Sequence, residues 1–160
     1  MKRSMTETAA DRVPIDPLAE VGAGRSFVSG DRHSDRILVQ YFLRRSDNNL
    51  VGEVWFGPGA EGPPGHAHGG SIAAVLDEGM GIGAWMAGHK VVAAQLVTNF
   101  RRMIALNTEA FVEAVVSNVE GRKVMMRARL LDDEGELLAD AEGVFVVLEP
   151  QRLAELARRH

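Results

Sequence analysis

The chain has 160 residues, of which 46% are hydrophobic and 25% are charged, so it fits one globular domain with a sizeable core. A formal net charge of −4 excludes general attraction to nucleic acid or an anionic membrane, and no apolar stretch reaches the ~18 residues of a transmembrane helix. Cysteine is absent, which excludes disulfides, a thiolate nucleophile and cysteine-ligated metal, and suits a reducing cytoplasm.

The first 30 residues are polar and are interrupted by Pro14, Pro17 and several glycines. This composition predicts an N-terminal arm over residues 1–30 that is extended or partly disordered, with at most a short turn of helix. The arm starts with basic residues but lacks the apolar core of a secretory signal, so we expect no such signal.

Two segments rich in β-branched and aromatic residues follow, at 36–45 and 49–57, with the turn-forming "SDNN" between them. They predict a β-hairpin. After the loop "PGAEGPPGHAHGG", the apolar run from Ser71 to Met86 predicts a helix, which Gly88 ends.

Beyond the helix the hydrophobic pattern changes to a period of two residues, with glycine-containing turns between segments. The pattern predicts four long strands, at 90–103, 109–121, 122–135 and 136–149. The tail over residues 151–160 has the amphipathic pattern of a short helix. Two strands, one long helix and four strands predict an α+β fold with an antiparallel sheet over residues 31–150.

The predicted central helix is apolar nearly all round, which indicates burial on two sides. The face suited to packing on the sheet comprises Ile72, Val75, Leu76, Gly79, Gly83 and Met86. The opposite face comprises Ala73, Ala74, Asp77, Met80, Gly81 and Ala84. Three glycines in "EGMGIG" each cost about 0.8–1 kcal/mol of helix propensity, which favours a need for close packing. A second copy of the chain is the natural partner for the small-residue face, so we expect at least a homodimer.

Two adjacent acids interrupt this apolar helix. Asp77 lies on the second face, where an unpaired buried carboxylate is expensive, so it is either satisfied by an ion pair or cap or used in chemistry. Glu78 lies towards the flank of the helix. It is either functional or an edge charge paired with Lys90 or an arginine.

The "HGG" before the helix indicates a chemical use for these acids. Gly69 and Gly70 leave backbone N–H groups uncovered at the positive end of the helix. Such a site accepts an anion or the developing oxyanion of a carbonyl. Asp77 follows Gly70 by seven residues, so the pattern combines a polarising N–H with a carboxylate two turns away.

The stretch "GPPGHAHGGSIAAVLDEGMG" resembles the signature of the hotdog-fold thioesterase superfamily. The branch it resembles holds the phenylacetate-pathway thioesterase and the mitochondrial acyl-CoA thioesterases of animals. The matching positions are Gly62, Pro63, Pro64, Gly65, His68, Gly69, Gly70, Ala73 and Asp77. "VTNFRR" and "VEGRK" are similar to the same branch, so the resemblance covers about residues 36–148.

The resemblance implies a hotdog fold, in which an antiparallel sheet of five to six strands wraps around a long central helix. It implies a homodimer or dimer of dimers (a homotetramer) that hydrolyses acyl-CoA without a cofactor. The resemblance also implies that the Gly70 N–H, next to Gly69, polarises the thioester carbonyl. His68 then orients the substrate or assists at the carbonyl oxygen. Asp77, reaching across from the partner subunit, is then the general base or the nucleophile.

One position departs from the family pattern. Many relatives place Ser or Thr on the strand after the helix, where it helps to hold the attacking water, and here that position is Ala93. Gln95 is expected to face the same way and to substitute by hydrogen-bonding the water. Otherwise hydrolysis is slow, or the reaction differs.

The basic residues of the strands are candidates for binding the phosphates of coenzyme A. We select Arg102, Arg122 and Lys123 as substrate-binding residues, together with Gly69, Glu78 and Gln95. Arg101 is a further candidate for the phosphates, and Arg129 has a weaker case. Ordinary surface charge is the alternative for each of them. His66 and His68 form an H-x-H pair with no third ligand at a recognisable spacing, so no metal site is predicted.

Three functions therefore stand beside one another. The first is a cytoplasmic acyl-CoA thioesterase. The second is a hotdog dehydratase acting on an acyl thioester, which Ile82 disfavours because those relatives carry a histidine about five residues after the acid. The third is a non-catalytic acyl-CoA-binding protein, which Ala93 favours. The acyl chain, the pathway and the choice between dimer and tetramer are not predicted.

Overall fold

The computed structural model describes residues 10–21 and 25–159. For residues 1–9 and 22–24, the prediction of an extended or partly disordered arm lies outside the described residues, as does the predicted helical position of His160. In the described part of the chain, no helix has the length and apolarity needed to cross a membrane.

The described residues form one antiparallel sheet of seven strands. The strands are β1 (Arg12–Pro14), β2 (Ile37–Arg44), β3 (Leu50–Phe56), β4 (Val91–Phe100), β5 (Thr108–Glu120), β6 (Lys123–Leu131) and β7 (Leu137–Val147), in the spatial order β1-β2-β3-β5-β6-β7-β4. The six long strands are those that the sequence predicts. The seventh, β1, is a three-residue strand within the predicted arm that pairs with the end of β2.

Three α-helices accompany the sheet in the described part of the chain, namely α1 (Pro17–Val21), α2 (Gly69–Met86) and α3 (Pro150–Ala157). The central helix α2 packs against β3 to β7, and the residues of these strands that face it alternate with exposed ones. Gly88 has a φ of +93° and follows the last turn, so it ends the helix as predicted. The exposed α3 carries the predicted amphipathic tail.

The face of α2 that packs on the sheet is wider than predicted. Ile72, Val75 and Leu76 are buried, as the helical pattern requires. Met80 and Ala84, assigned to the opposite face, are also fully buried. The reason is the curvature of the sheet, because β7 reaches around the helix and a Cβ at Gly143 would lie 3.3 Å from the Met80 sulfur.

Four residues of the predicted opposite face remain half-exposed and form a narrower stripe, consisting of Ala73, Ala74, Asp77 and Gly81. A Cβ at Gly81 would lie 3.7 Å from the Phe145 ring, an ordinary contact distance. The described chain therefore does not itself require glycine there. This stripe, which we call the open stripe, runs beside the edge strand β4.

The two edges of the sheet differ strongly. At one edge β1 is only three residues long and contains Pro14, which limits further pairing. At the other edge β4 has ten residues and, after Val91, is mostly exposed on both faces. Its exposed apolar side chains are Val92, Leu96, Val97 and Phe100. A long apolar edge of this kind is protected in native proteins by pairing or covering.

Candidate active site

The loop before α2 is fixed by a tight turn. The His66 N–H donates to the Pro63 carbonyl at 2.9 Å, and Gly65 has a φ of +73°, as expected for the third residue of a type II turn with proline before it. The His68 N–H donates to the Ala60 carbonyl at 2.7 Å. A Cβ at Gly62 would lie 2.7 Å from the His68 Cα, so only glycine lets the two ends of this loop close.

His68 is the N-cap residue of α2. The Gly70 N–H donates to His68 Nδ1 at 2.8 Å, and the Ser71 hydroxyl donates to the His68 carbonyl at 2.7 Å. A ring nitrogen that accepts a hydrogen bond carries no proton, so the neutral imidazole holds its proton on Nε2. The N–H predicted to polarise a carbonyl is thus occupied by His68, whose Nε2–H points a second donor away from the helix.

The start of the helix also lies against the end of β4. A Cβ at Gly69 would be 3.2 Å from the Phe100 ring, so glycine allows this ring to lie over the first turn. Phe100 is 55% exposed. The helix start therefore combines two glycines, a histidine that accepts from one of them and an exposed aromatic ring over the other.

Asp77 lies two turns further along, on the open stripe and half-buried. It lines a cavity of about 360 Å³ with Ala74, Gly81 and Ala93. Burial raises the pKa of the Asp77 carboxyl above its ordinary 3.8, and the charge of Glu78 raises it further. No cation among the described residues offsets these two effects, so Asp77 is a carboxylate in an unfavourable environment.

Glu78 is not paired with Lys90 or with an arginine, the alternatives that its position suggested. Its Oε2 accepts a hydrogen bond from the Ser26 hydroxyl, which lies 52 residues earlier in the chain. Lys90 instead lies over the Trp85 ring, 4.5 Å from its centroid. The partner of Glu78 is therefore the end of the N-terminal arm, which reaches the middle of α2 and was not predicted to do so.

A buried tyrosine completes the surroundings of Glu78. The Tyr41 ring on β2 is 1% exposed and lies across Gly52 of β3, where a Cβ would be 2.9 Å from it. Burial raises the pKa of the Tyr41 hydroxyl well above 10.0, and the negative charge of Glu78 raises it further. No local sequence pattern reveals Ser26 or Tyr41 as neighbours of Glu78, because each contact is long-range.

Gln95 does not face the same way as Ala93, contrary to the expected alternation. Ala93 pairs with Phe145 while Gln95 pairs with Val144, so a β-bulge at Ala94 adds one residue to β4. The bulge reverses the alternation of side chains beyond it. Ala93 therefore lines the Asp77 cavity as expected, whereas Gln95 lies on the outer face of the sheet near Asn118 and Glu142.

The bulge returns later residues of β4 to the helix side. Thr98, which pairs with the buried Ala141, has a hydroxyl that is buried without a partner in the described structure. It is a helix-facing hydroxyl on this strand, five residues beyond Ala93.

The basic residues selected for coenzyme A do not converge within one chain. Arg102 follows β4 and pairs with Glu136 at 3.3 Å, beside Arg101, which pairs with Asp140 at 2.7 Å. Arg122 and Lys123 lie at the other end of the sheet, where Arg122 pairs with Glu149 at 3.4 Å. The ten residues of β4 span about 30 Å between these two ends. Arg129 pairs with Glu113 on the outer face.

Comparison with known proteins adds to this geometry. Residues 64–139 match the family model described as thioesterase superfamily. The acyl-coenzyme A thioesterase THEM4 of Xenopus laevis is 32% identical over 110 residues, which are 68% of this chain and 50% of that protein. The acyl-coenzyme A thioesterase THEM5 of Mus musculus is 34% identical over 109 residues, 68% of this chain and 44% of that protein. The chain thus spans about half the length of the curated relatives it matches.

A solved structure agrees with these matches. The crystal structure of a thioesterase superfamily protein superimposes with a TM-score of 0.64 and is 29% identical, covering 68% of this chain and 53% of that one. The antiparallel sheet around one long helix and the family resemblance of "GPPGHAHGG" are thereby confirmed. The chain belongs to the thioesterase superfamily and has its hotdog fold.

Proposed function

We propose that the protein is an acyl-CoA thioesterase, which hydrolyses a thioester to a free acid and coenzyme A. The observation that carries this proposal is Asp77, a half-buried carboxylate without a cation, in a cavity beside a helix that begins with His-Gly-Gly. The names of the relatives support the same activity and substrate class.

Two chemical routes fit a carboxylate at this place. As a general base, Asp77 takes a proton from water while the water oxygen bonds to the carbonyl carbon. The tetrahedral intermediate then collapses, the C–S bond breaks, and the Asp77 carboxyl returns the proton to the thiolate. As a nucleophile, an Asp77 oxygen bonds to the carbonyl carbon, the thiolate leaves, and water hydrolyses the resulting anhydride. A single turnover in ¹⁸O-labelled water separates the routes, because only the second can leave label in Asp77.

The two halves of the machinery come from two subunits in this proposal. Seven residues of helix separate Gly70 from Asp77 by about 10 Å, whereas a reacting carbonyl needs its donor and its base within about 3 Å. This separation favours a donor and a base that come from different chains. The open stripe of α2 and the unpaired apolar edge β4 offer the surface for a second copy, in a homodimer or a dimer of dimers.

The same pairing brings the basic residues together. If two β4 edges pair antiparallel around a two-fold axis, the end of one strand lies beside the start of the other. Arg102 of one subunit then lies at the same end of the interface as the basic turn, Arg122 and Lys123, of its partner. This combination is our proposed site for the coenzyme A phosphates.

Two groups at the start of α2 could donate a hydrogen bond to the thioester carbonyl. Either Nε2–H of His68 receives the oxyanion, or the ring turns away from its 2.8 Å bond and frees the Gly70 N–H. His68→Ser retains an N-cap acceptor and removes the ring donor. A loss of about 10²-fold in kcat would assign the role to Nε2–H, and an unchanged or higher kcat would assign it to Gly70.

The non-catalytic acyl-CoA-binding protein is kept as a second candidate. Ala93 brings a methyl group to the Asp77 cavity, and Gln95 faces the other side of the sheet. A water beside Asp77 therefore has no hydroxyl at position 93 to hold it.

Release of free thiol from a panel of acyl-CoAs, from acetyl to palmitoyl, tests the proposal. We expect hydrolysis of at least one thioester by the wild type, with Gln95→Ala as an active control because its side chain lies outside the cavity. Binding of acyl-CoA without thiol release would favour the second candidate. Light scattering tests the assembly, and a monodisperse monomer at micromolar concentration would contradict the two-subunit site.

Two further assignments rest on the sequence alone. We propose residues 31–150 as the catalytic unit, preceded by the arm of residues 1–30 and followed by the C-terminal segment 151–160. A cytoplasmic location is proposed from the cysteine-free composition, and cell fractionation tests it.

A further inference from the structure

The end of the N-terminal arm is fixed against the middle of α2. The Ser26 hydroxyl donates to Glu78, and its oxygen also accepts from the N–H groups of Val28 and Ser29 at 3.3 and 3.4 Å. Val28 is 6% exposed and belongs to the hydrophobic core. Residues Ser26–Ser29, which we call the arm turn, are therefore held by one polar and one apolar contact.

The polar contact is important because of what surrounds it. Glu78 Oε1 and the Tyr41 hydroxyl are both buried and face each other, without a hydrogen bond of good geometry between them. Loss of the Ser26 donor would leave one buried oxygen of this carboxylate less well satisfied, which costs free energy. The Ser26 hydroxyl therefore satisfies part of this acid, and this hydrogen bond attaches the arm turn to α2.

The arm turn forms one side of the cavity that contains Asp77. The opposite side consists of α2 and the start of β4, and the lining includes Phe27, Trp85, Val91 and Phe145. Phe27 is 88% exposed although its neighbour Val28 is in the core. A phenylalanine held in this position lies at the mouth of an apolar cavity and not within the packed interior.

We propose that the arm turn is the specificity-determining wall of the acyl cavity, and that it restricts the substrate to compact apolar acyl groups that end against Phe27 and Trp85. This inference rests on the proposed thioesterase function. Cavities of a few hundred Å³ enclose small apolar ligands, and this one has about 360 Å³ bounded largely by aromatic and aliphatic side chains. Glu78 and Ser26 are positioning residues, because they act on the acyl group through the arm turn.

Shortening Phe27 tests the wall directly. Phe27→Ala should raise the ratio of kcat/KM for dodecanoyl-CoA to that for butanoyl-CoA by roughly tenfold, the discrimination that one methylene group gives in an apolar pocket. Val119→Ala is the matched control, because Val119 is also an exposed apolar residue but lies on β5 outside the cavity. Equal chain-length profiles for Phe27→Ala and wild type would overturn the inference.

The attachment is tested by a pair of variants. Ser26→Ala removes the donor, so the arm turn should open and the chain-length preference should flatten by a similar factor. Glu78→Gln retains an acceptor for Ser26 and should keep the preference. Trypsin cleavage after the exposed Arg25 reports the opening independently, and we expect it to be faster in Ser26→Ala only. Ser117→Ala is the control serine, since its hydroxyl donates to the Met125 carbonyl on the sheet.

Failure of this inference is distinguishable from failure of the proposed function. S-alkyl-CoA thioethers with alkyl chains of four to sixteen carbons cannot be hydrolysed. Calorimetry therefore measures how their affinity depends on chain length and on the arm turn, even in an inactive protein. An active wild type with profiles unmoved by Phe27→Ala and Ser26→Ala refutes the wall alone. An inactive wild type whose thioether affinities shift with Phe27→Ala refutes the hydrolysis alone. If no thioether binds, the acyl cavity itself is refuted.

Discussion

Two half-buried carboxylates of this protein, Asp77 and Glu113, have opposite environments. Glu113 lies on β5 and accepts hydrogen bonds from Arg129 at 2.7 Å and from Arg44. Burial acts to raise its pKa, but the two guanidinium groups outweigh burial and lower the pKa below its ordinary 4.5. At Asp77 burial also acts to raise the pKa, and the neighbouring charge of Glu78 adds to it.

The difference separates an acid that stabilises the fold from one that costs stability. Ion pairs offset the free-energy cost of burying Glu113, whereas the described structure contains no cation that offsets the cost of burying Asp77. A carboxylate retained in an unfavourable place, facing a cavity, is the pattern expected of a group used in chemistry.

The largest expected effect comes from removing the charge of Asp77. Asp77→Asn should lower kcat for thioester hydrolysis at least ~10²-fold and leave acyl-CoA binding nearly intact, because a general base acts only in the transition state. Its stability should rise at pH 7. The reason is that the pKa of the Asp77 carboxyl is raised in the folded state. Its contribution to the stability of the fold is complete below pH 3.8 and is lost as pH rises through the folded-state pKa. Thiol release and thermal unfolding measure the two effects, and full activity would contradict the assignment.

The opposite result is expected for the ion-paired acid. Glu113→Gln should lower the free energy of unfolding by about 1–2 kcal/mol at neutral pH and leave kcat unchanged, because it removes hydrogen bonds between charged groups that are partly solvated. The lowered pKa of Glu113 makes its stabilisation complete above its ordinary 4.5 and lost as pH falls through the folded-state value. Urea unfolding from pH 7 to pH 3 should therefore show variant and wild type converging at acid pH.

A smaller effect is expected where the cavity lacks a hydroxyl. Ala93→Ser and Ala93→Thr should raise kcat by up to roughly tenfold, the worth of one hydrogen bond to water in the transition state. Steady-state kinetics with the best substrate measures the change. Gln95→Ala is the control, since Gln95 faces the outer side of the sheet. A rate that depends on Gln95 and not on position 93 would contradict the placement of the bulge.

The smallest effect concerns the charge beside the base. Glu78→Gln should move the acid limb of the kcat/KM profile to lower pH, because Glu78 contributes to the raised pKa of Asp77. The shift should be smaller than the part due to burial, which is the larger cause. Ser26→Ala keeps the Glu78 charge and should leave the limb in place. Equal profiles for Glu78→Gln and wild type would show that burial alone sets the pKa of Asp77.

The sequence was sufficient wherever the signal is local. The six long strands and α2 were predicted within a few residues, because their hydrophobic periods of two and 3.6 are properties of consecutive residues. The helix stop at Gly88 and the "GPPGHAHGG" turn are local for the same reason. Asp77 was recognised as exceptional because a carboxylate within an apolar helix stands out without any knowledge of its neighbours.

Contacts between distant segments were not predictable in this way. The bulge at Ala94 depends on the register with β7, and it moved Gln95 out of the site although simple alternation placed it inside. Met80 and Ala84 were assigned to an open face, because the helical wheel contains no information about how far the sheet curves around α2.

The amino-acid sequence by itself determined the elements of this protein, the family signature and the acid at its centre, since propensity, periodicity and turn chemistry act between near neighbours. Only the tertiary structure decided that Ser26 reaches Glu78 across 52 residues, that the bulge at Ala94 turns Gln95 to the outer face, and that β4 is left as an unpaired edge. These features follow from how the sheet closes around its helix, and the sum of long-range packing, not any single stretch of residues, fixes that closure.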